Sequence, residues 1–364
     1  MKKQLYITSF LTACLCSACQ HNEISLYSDS EYPIVFMSEV DVETNTRSNF
    51  ISQFPEGAQV GMYMFCLAEN RQGGTTPWNG KKMNCLPDKD FENKALTYNN
   101  GVWSYDNLQY WYEQADYLYS FFAYYPYTAN AATNQNAGIR VIANTQGNYV
   151  GDPTLSYTMP FSGGSVDGTR LEASQVQDVV YGTNIDRINN GTPVEIHFSH
   201  LLSGLEFRVD NYNETSSVTI TSLKLKGTFY RTVTTRLSEL IKGSEAYSGY
   251  FSLISGTPQV FTPNSTQQQV MQDGGENPAE LLLICDIASN SINPVGAVCQ
   301  IDITYKVGEG SDMTATMTVP TDEMSFQPGV KNIISLQFLG SQFMLDFRTG
   351  DHWTLGGDDD IIFQ

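Results

Sequence analysis

Cys16 and Cys19 have the spacing with the clearest chemistry in this chain. A C-x-x-C pair can be a redox dithiol or half of a zinc site. Here it closes an apolar run, Leu5 to Cys16, that follows the cationic start Met1-Lys2-Lys3. Such a run is too short to span a bilayer and reads as an export signal. The small residues Ser17-Ala18 precede Cys19, as they do before the lipid-accepting cysteine of a bacterial lipoprotein, and Gln20-His21-Asn22-Glu23 would begin a polar tether. Leu11-Thr12-Ala13-Cys14 offers a second lipobox with an unusually short apolar core, so Cys19 is preferred. Several acyl chains on one cysteine anchor a protein stably. Beyond the leader, Cys66 with Cys85 and Cys285 with Cys299 are near enough in sequence for disulfides, with buried thiols as the equal alternative.

Other constellations carry less. The four histidines are His21, His197, His200 and His352, and no H-e-x-x-H motif occurs. On a strand, residues 197 and 200 point to opposite faces, a poor metal pair. Gly74 to Lys82 is one residue too long for a phosphate loop, and Lys82 stands where Ser or Thr is needed. Neither G-x-S-x-G nor G-x-G-x-x-G is present. Asp358-Asp359-Asp360 lacks the alternating ligands of a calcium loop and reads as a solvated acidic stretch. No pair of carboxylates is singled out for glycoside hydrolysis. The reading is therefore no catalytic residue, no metal and no cofactor. Asp and Glu total 39 against 20 Lys and Arg, a net charge of −19, which excludes nucleic acid as a partner.

The elements that must position these residues are strands. Apolar and aromatic runs separated by Gly, Asn, Asp and Pro recur along the chain. They include Tyr32 to Met37, Gln59 to Phe65, Tyr117 to Tyr125, Val194 to His200, Gly204 to Val209, Val218 to Leu225, Leu281 to Cys285, Val298 to Val307 and Val330 to Leu339. In the densest run Tyr117, Tyr119, Phe121, Ala123 and Tyr125 share one face by period-two alternation. Such regular alternation favours a packed core, although exposed Trp103, Tyr110 and Trp111 could stack on sugar rings. The loop Asn184 to Pro193 suggests a boundary near residue 190 between two β-sandwiches. The expected division is signal 1–19, tether and first strand 20–48, an N-terminal sandwich 49–190 and a C-terminal sandwich 191–364.

An ordered set of segments resembles the fimbrillin family, the Mfa-like subunits of type V pili. These are the lipobox at Cys19, Ile34-Val35-Phe36, Thr46-Arg47-Ser48, and Phe54-Pro55-Glu56-Gly57-Ala58-Gln59-Val60-Gly61-Met62-Tyr63. Trp111 with Phe121 to Pro126, then His197 to Phe207, Phe326 to Ile333 and Trp353 complete it. Tyr112 departs from the family pattern, in which a proline often follows the Tyr-Trp pair.

The resemblance implies an exported, outer-membrane lipoprotein precursor with two transthyretin-like β-sandwich domains in tandem. It implies an arginine-specific protease that cuts Arg47-Ser48 and removes the first strand, and other pilin subunits that fill the gap by β-strand addition. The C-terminal stretch 341–364 is the candidate donor, with Phe343, Leu345 and Phe347 on one face and Trp353, Leu355, Ile361 and Phe363 further on. The same alternation suits a last strand packed in its own domain. The expected place is a cell-surface fimbrium, with a host or bacterial surface ligand as a further partner of an adhesin. The reading is a pilus subunit or pilus-associated adhesin and not an enzyme; carrying both a removable strand and a candidate donor leans the chain toward the shaft or a minor shaft-compatible subunit. A surface glycan-binding lipoprotein that never polymerises is the alternative, and a secreted hydrolase a third reading.

Overall fold

The computed structural model describes residues 29–38, 51, 53–66, 83–84, 90–113, 116–131, 138–143, 149–150, 153–160, 162–165, 168–172, 176–212, 216–236, 250–253, 259–262, 268–270, 279–285, 291–293, 296–321, 324–340 and 342–348. Every helix-length or strand-length element among them is a strand, as the aromatic and β-branched runs dictate.

The strand Tyr119–Tyr125 shows how the alternation is spent. Tyr119, Phe121 and Ala123 are buried in one core, with Tyr117 and Tyr125 packed at its margin. Phe122 and Tyr124 are buried in another, on the opposite face. A strand buried on both faces belongs in the middle of a sheet. This one lies within an eight-stranded sheet ordered Val194–Glu195, Phe36–Met37, Val102–Ser104, Lys94–Asn99, Gln59–Cys66, Tyr119–Tyr125, Val180–Arg187, His197–His200.

The two outermost strands of that list are separated in sequence by Ile196 alone. The stretch 194–200 therefore bonds to both edges, and the sheet must roll up until those edges meet. Its first part pairs in parallel with Phe36–Met37, and its second runs antiparallel to Val180–Arg187. The crossing needs a residue without a side chain beneath it. A Cβ on Gly182 would stand 2.5 Å from Ile196 Cγ2 and 2.8 Å from the Phe198 ring. Inside the roll sit Ile34, Phe36, Val60, Met62, Met64, Leu96, Trp103, Phe121, Val194 and Ile196. A two-residue turn, Asn100-Gly101, joins two of the strands; both residues have positive φ (49° and 83°), the geometry of a hairpin that matches strand twist. It sets Tyr98 opposite Trp103.

The outer face of the roll continues into the rest of the molecule. Phe65, Phe122 and Tyr124 belong to one apolar cluster with Ile139, Val141, Leu155 and Tyr157, and with Leu205, Phe207, Ile301 and Leu336 further along. A four-stranded sheet joins Gly138–Ala143 and Pro153–Thr158 to Tyr230–Arg236 and Tyr250–Leu253. Residues from 203 onward supply most of a seven-stranded sheet and all of a second four-stranded one, ordered Ala279–Leu283, Ser203–Asn211, Lys331–Phe338, Phe343–Arg348.

The all-β expectation holds. The strands flanking residue 190 sit in one sheet, with Val180 opposite His200 and Thr183 opposite His197, so the chain leaves that sheet between His200 and Ser203. The reason is the roll itself: Val194 to His200 is needed to close it.

Candidate functional site

The segment 29–38 occupies a gap in the rolled sheet that is bounded on both sides. Asp29 and Pro33 pair with Tyr112 and Tyr110, and the Ile34 amide donates to the Gln109 carbonyl at 2.8 Å. Phe36 and Met37 run antiparallel to Trp103 and Val102 on one side and parallel to Val194 and Glu195 on the other. From that second side the Val194 amide donates to the Val35 carbonyl at 2.7 Å and the Ile196 amide to the Met37 carbonyl at 3.0 Å. Were the segment to leave, strand edges would face each other across an open slot, each with unpaired backbone groups.

Side chains lock the same register. Ile34 and Phe36 are wholly buried, whereas Glu31, Tyr32 and Met37 are exposed. The Phe36 ring meets Phe91, Tyr105 and Phe121 edge-on, at centroid distances of 5.7, 5.9 and 5.3 Å. Each such apolar side chain gains about 1.5–3 kcal/mol on burial, so the segment is a structural stave rather than a loose end. The Tyr105 hydroxyl donates to the Ile34 carbonyl at 2.8 Å and accepts from the Gln109 amide at 3.3 Å. Burial pushes that hydroxyl up to about 12, against a weaker downward pull from the Gln109 backbone, so it stays neutral and able to donate.

A second anchor begins at residue 51. The Ile51 amide donates to buried Asp178 Oδ2 at 2.9 Å, and His200 Nδ1 lies 2.9 Å from the same oxygen. Phe54 is buried against Trp103, Phe198, Tyr125 and Tyr98. Arg47 and Ser48 thus fall between two segments that are each fixed; they lie, with Cys19, outside the described residues.

Of the candidate donor residues, Phe343 is buried against Tyr305 and Phe338, at ring distances of 4.9 and 5.0 Å, and Leu345 packs at the margin of the same core. Their strand, Phe343–Arg348, which also contains Phe347, pairs antiparallel with Lys331–Phe338. Trp353, Leu355, Ile361 and Phe363 lie outside the described residues, as do Cys85 and Asp358 to Asp360. Cys66, Cys285 and Cys299 are buried thiols, and burial pushes the Cys299 thiol up to about 12.

Trp103 and Trp111 are buried and so unable to stack on a sugar; Tyr110 is exposed. His197 is exposed and His200 buried, on opposite faces of their strand. Among the described residues no group of three or more His, Cys, Asp or Glu gathers to hold a metal. Sequence reasoning found the Ile34-Val35-Phe36 strand but not the Asp178–His200–Ile51 cluster, whose members are far apart in sequence and carry no motif.

Fold and site together define an all-strand protein whose early segment completes a sheet formed mostly by later residues. The family model described as fimbrillin-like matches residues 46–342, and the chain belongs to that family. A fimbrial protein from Bacteroides vulgatus ATCC 8482 is similar in structure, with a TM-score of 0.58 and 19% identity over 88% of this chain and 99% of that one. A protein from Bacteroides ovatus ATCC 8483, described as a candidate cell adhesion protein, reaches 0.51 with 12% identity over 90% and 98%. No curated protein matches the chain.

Proposed function

We propose that this protein is a structural subunit of a cell-surface type V fimbria, and not an enzyme. It matures by loss of the segment ending at Arg47 and assembles by accepting a strand from another subunit. The observation that carries this reading is the seat of residues 29–38. That segment lies upstream of Arg47, completes a sheet from both sides and buries Ile34 and Phe36. Cutting Arg47-Ser48 separates it from the covalent chain while Ile51 and Phe54 hold the new start in place. An emptied slot of this kind binds an extended strand through main-chain hydrogen bonds and side-chain pockets. The family match begins at residue 46, so the seated segment lies outside it. Head-to-tail donation does not close on itself and so builds a filament.

On this reading Cys19 carries the lipid of an outer-membrane precursor, an arginine-specific protease is the processing partner, and other pilin subunits are the assembly partners. The test is the N-terminus of protein sheared from the native cell surface, read by intact mass. A chain starting at Ser48 that runs as SDS-resistant ladders is the expected result. A monomeric chain starting at acylated Cys19 would overturn the shaft reading.

A further inference from the structure

Arg140 is one of only 20 basic residues in a chain with 39 acidic ones. It lies in the strand Gly138–Ala143, where Ile139 and Val141 are buried in the core. Alternation puts Arg140 on the opposite face of that four-stranded sheet. Among the described residues no carboxylate pairs with it, and its Nε is enclosed without a hydrogen-bond partner although the residue as a whole is only half-buried. A desolvated donor that gains no acceptor costs free energy, so an unneutralised arginine held this way is out of place in so acidic a protein. With Nε enclosed, the two Nη groups are the ones left to meet a ligand end-on.

Hydroxyls continue from Arg140 across the sheet. Ser156 lies directly opposite it, and Thr234 lies opposite Ser156 on the next strand. Ser156 Oγ and Thr234 Oγ1 are 2.9 Å apart; two positions along, Thr158 Oγ1 and Thr232 Oγ1 are 3.0 Å apart. One proton serves the bond within each pair, so each pair keeps a second proton to donate outward. Gly138, opposite Thr158, puts no side chain beside the second pair. The register also sets Arg236 opposite Thr154, so a second basic residue stands at the end of the strip. The row from Arg140 to Thr234 crosses three strands, about 10 Å, which a short oligosaccharide spans.

We infer that this face binds a sugar acid of a surface glycan, with its carboxylate on the guanidinium of Arg140 and its ring oxygens on the Ser156–Thr234 and Thr158–Thr232 pairs. The planar fork of arginine matches a carboxylate, which a neutral sugar lacks. A second copy of this chain would bring a like net charge of −19, whereas a sugar acid brings one charge per ring. The face belongs to a different sheet from the seat of residues 29–38. The inference therefore goes beyond the subunit reading and stands whether or not that segment leaves.

The test titrates the full chain calorimetrically with two sugar acids of different source, trigalacturonate and sialyllactose, each beside its uncharged counterpart, the trigalacturonate methyl ester and lactose. An acid is expected to bind roughly tenfold or more tightly than its counterpart, as a charge-assisted pair requires. The acid that binds names the source, a uronic-acid polymer or a sialylated glycan. Arg140→Met is expected to weaken that acid roughly tenfold and Ser156→Ala about threefold, both with the melting temperature of the wild type. Should Arg140→Met fail to fold, the acid and its uncharged counterpart on the wild type still decide. Equal binding of acid and counterpart, undiminished binding by folded Arg140→Met, or no binding of either acid at about 10 mM overturns the inference. So does equal binding of triglutamate, which would assign the face to an acidic protein segment.

Discussion

The Tyr105 hydroxyl donates to the Ile34 carbonyl across 71 positions of sequence, at 2.8 Å. One side chain thereby ties the early segment to the loop leading into Tyr110–Tyr112, and the same oxygen accepts from Gln109. Tyr105→Phe is expected to lower the urea midpoint by the equivalent of about 1–2 kcal/mol and to speed release of the segment from a chain nicked after Arg47. An unchanged release rate would mean that Ile34 and Phe36 alone hold it.

The same contact has a pH signature. The Tyr105 hydroxyl titrates near 12 when folded, against 10.0 ordinarily, because burial disfavours the phenolate. A raised value contributes stability that is complete below 10 and is lost as pH climbs toward 12. Burial also raises Tyr63, Tyr124 and Tyr157, so alkaline unfolding is expected in the wild type. In Tyr105→Phe the loss between pH 10 and 12 should be shallower; identical slopes would contradict its share.

Gly182 is where the stretch 194–200 crosses from one edge of the rolled sheet to the other. Gly182→Ala puts a methyl against Ile196 and Phe198 and is expected to cost about 1–3 kcal/mol in a denaturation curve. Because Val194 and Ile196 also bond the early segment, that segment should become more accessible to proteolysis. A variant as stable as the wild type would show that the crossing has slack.

Asp178 holds the Ile51 amide and faces His200, and it is buried. Asp178→Ala removes the acceptor of the buried Ile51 amide and the carboxylate facing His200, and is expected to cost about 1–3 kcal/mol. Asp178→Asn keeps an acceptor for Ile51 and should lose less. If the two variants unfold at the same urea concentration, the Ile51 hydrogen bond contributes nothing.

Glu206 offers a test in acid. Burial would raise its carboxyl, but the charge and hydrogen bond of Lys331, 2.8 Å away, together with Arg208, outweigh burial and hold it below 4.5. A depressed carboxyl contributes stability above its unfolded value that is lost as pH falls through the folded one. Lys331→Met should therefore shift acid unfolding to higher pH, read by circular dichroism; no shift would show that Arg208 suffices.

How far the sequence was legible follows from the range of the interactions. The alternation in Tyr117 to Tyr125 named one buried face correctly, since Tyr119, Phe121 and Ala123 share a core. That Phe122 and Tyr124 are buried too, in a second core, depends on strands near residues 139 and 155 packing over them. The burial of Trp103, which leaves it unable to stack on a sugar, likewise reflects neighbours from distant segments, Phe54 and Phe198.

Local patterns alone determined that the chain is built of strands, because side-chain alternation and turn residues act over a few positions. They also marked Ile34-Val35-Phe36 as a strand and Arg47 as an arginine just downstream of it. Only the tertiary structure decided that this strand completes a sheet made by strands drawn from residues 59–200, that 194–200 closes the roll at Ile196, and that Asp178 meets Ile51 and His200. Those are pairings between residues tens to more than a hundred positions apart. Such pairings depend on how whole sheets curl and pack, a property of the folded chain that no local run of residues encodes.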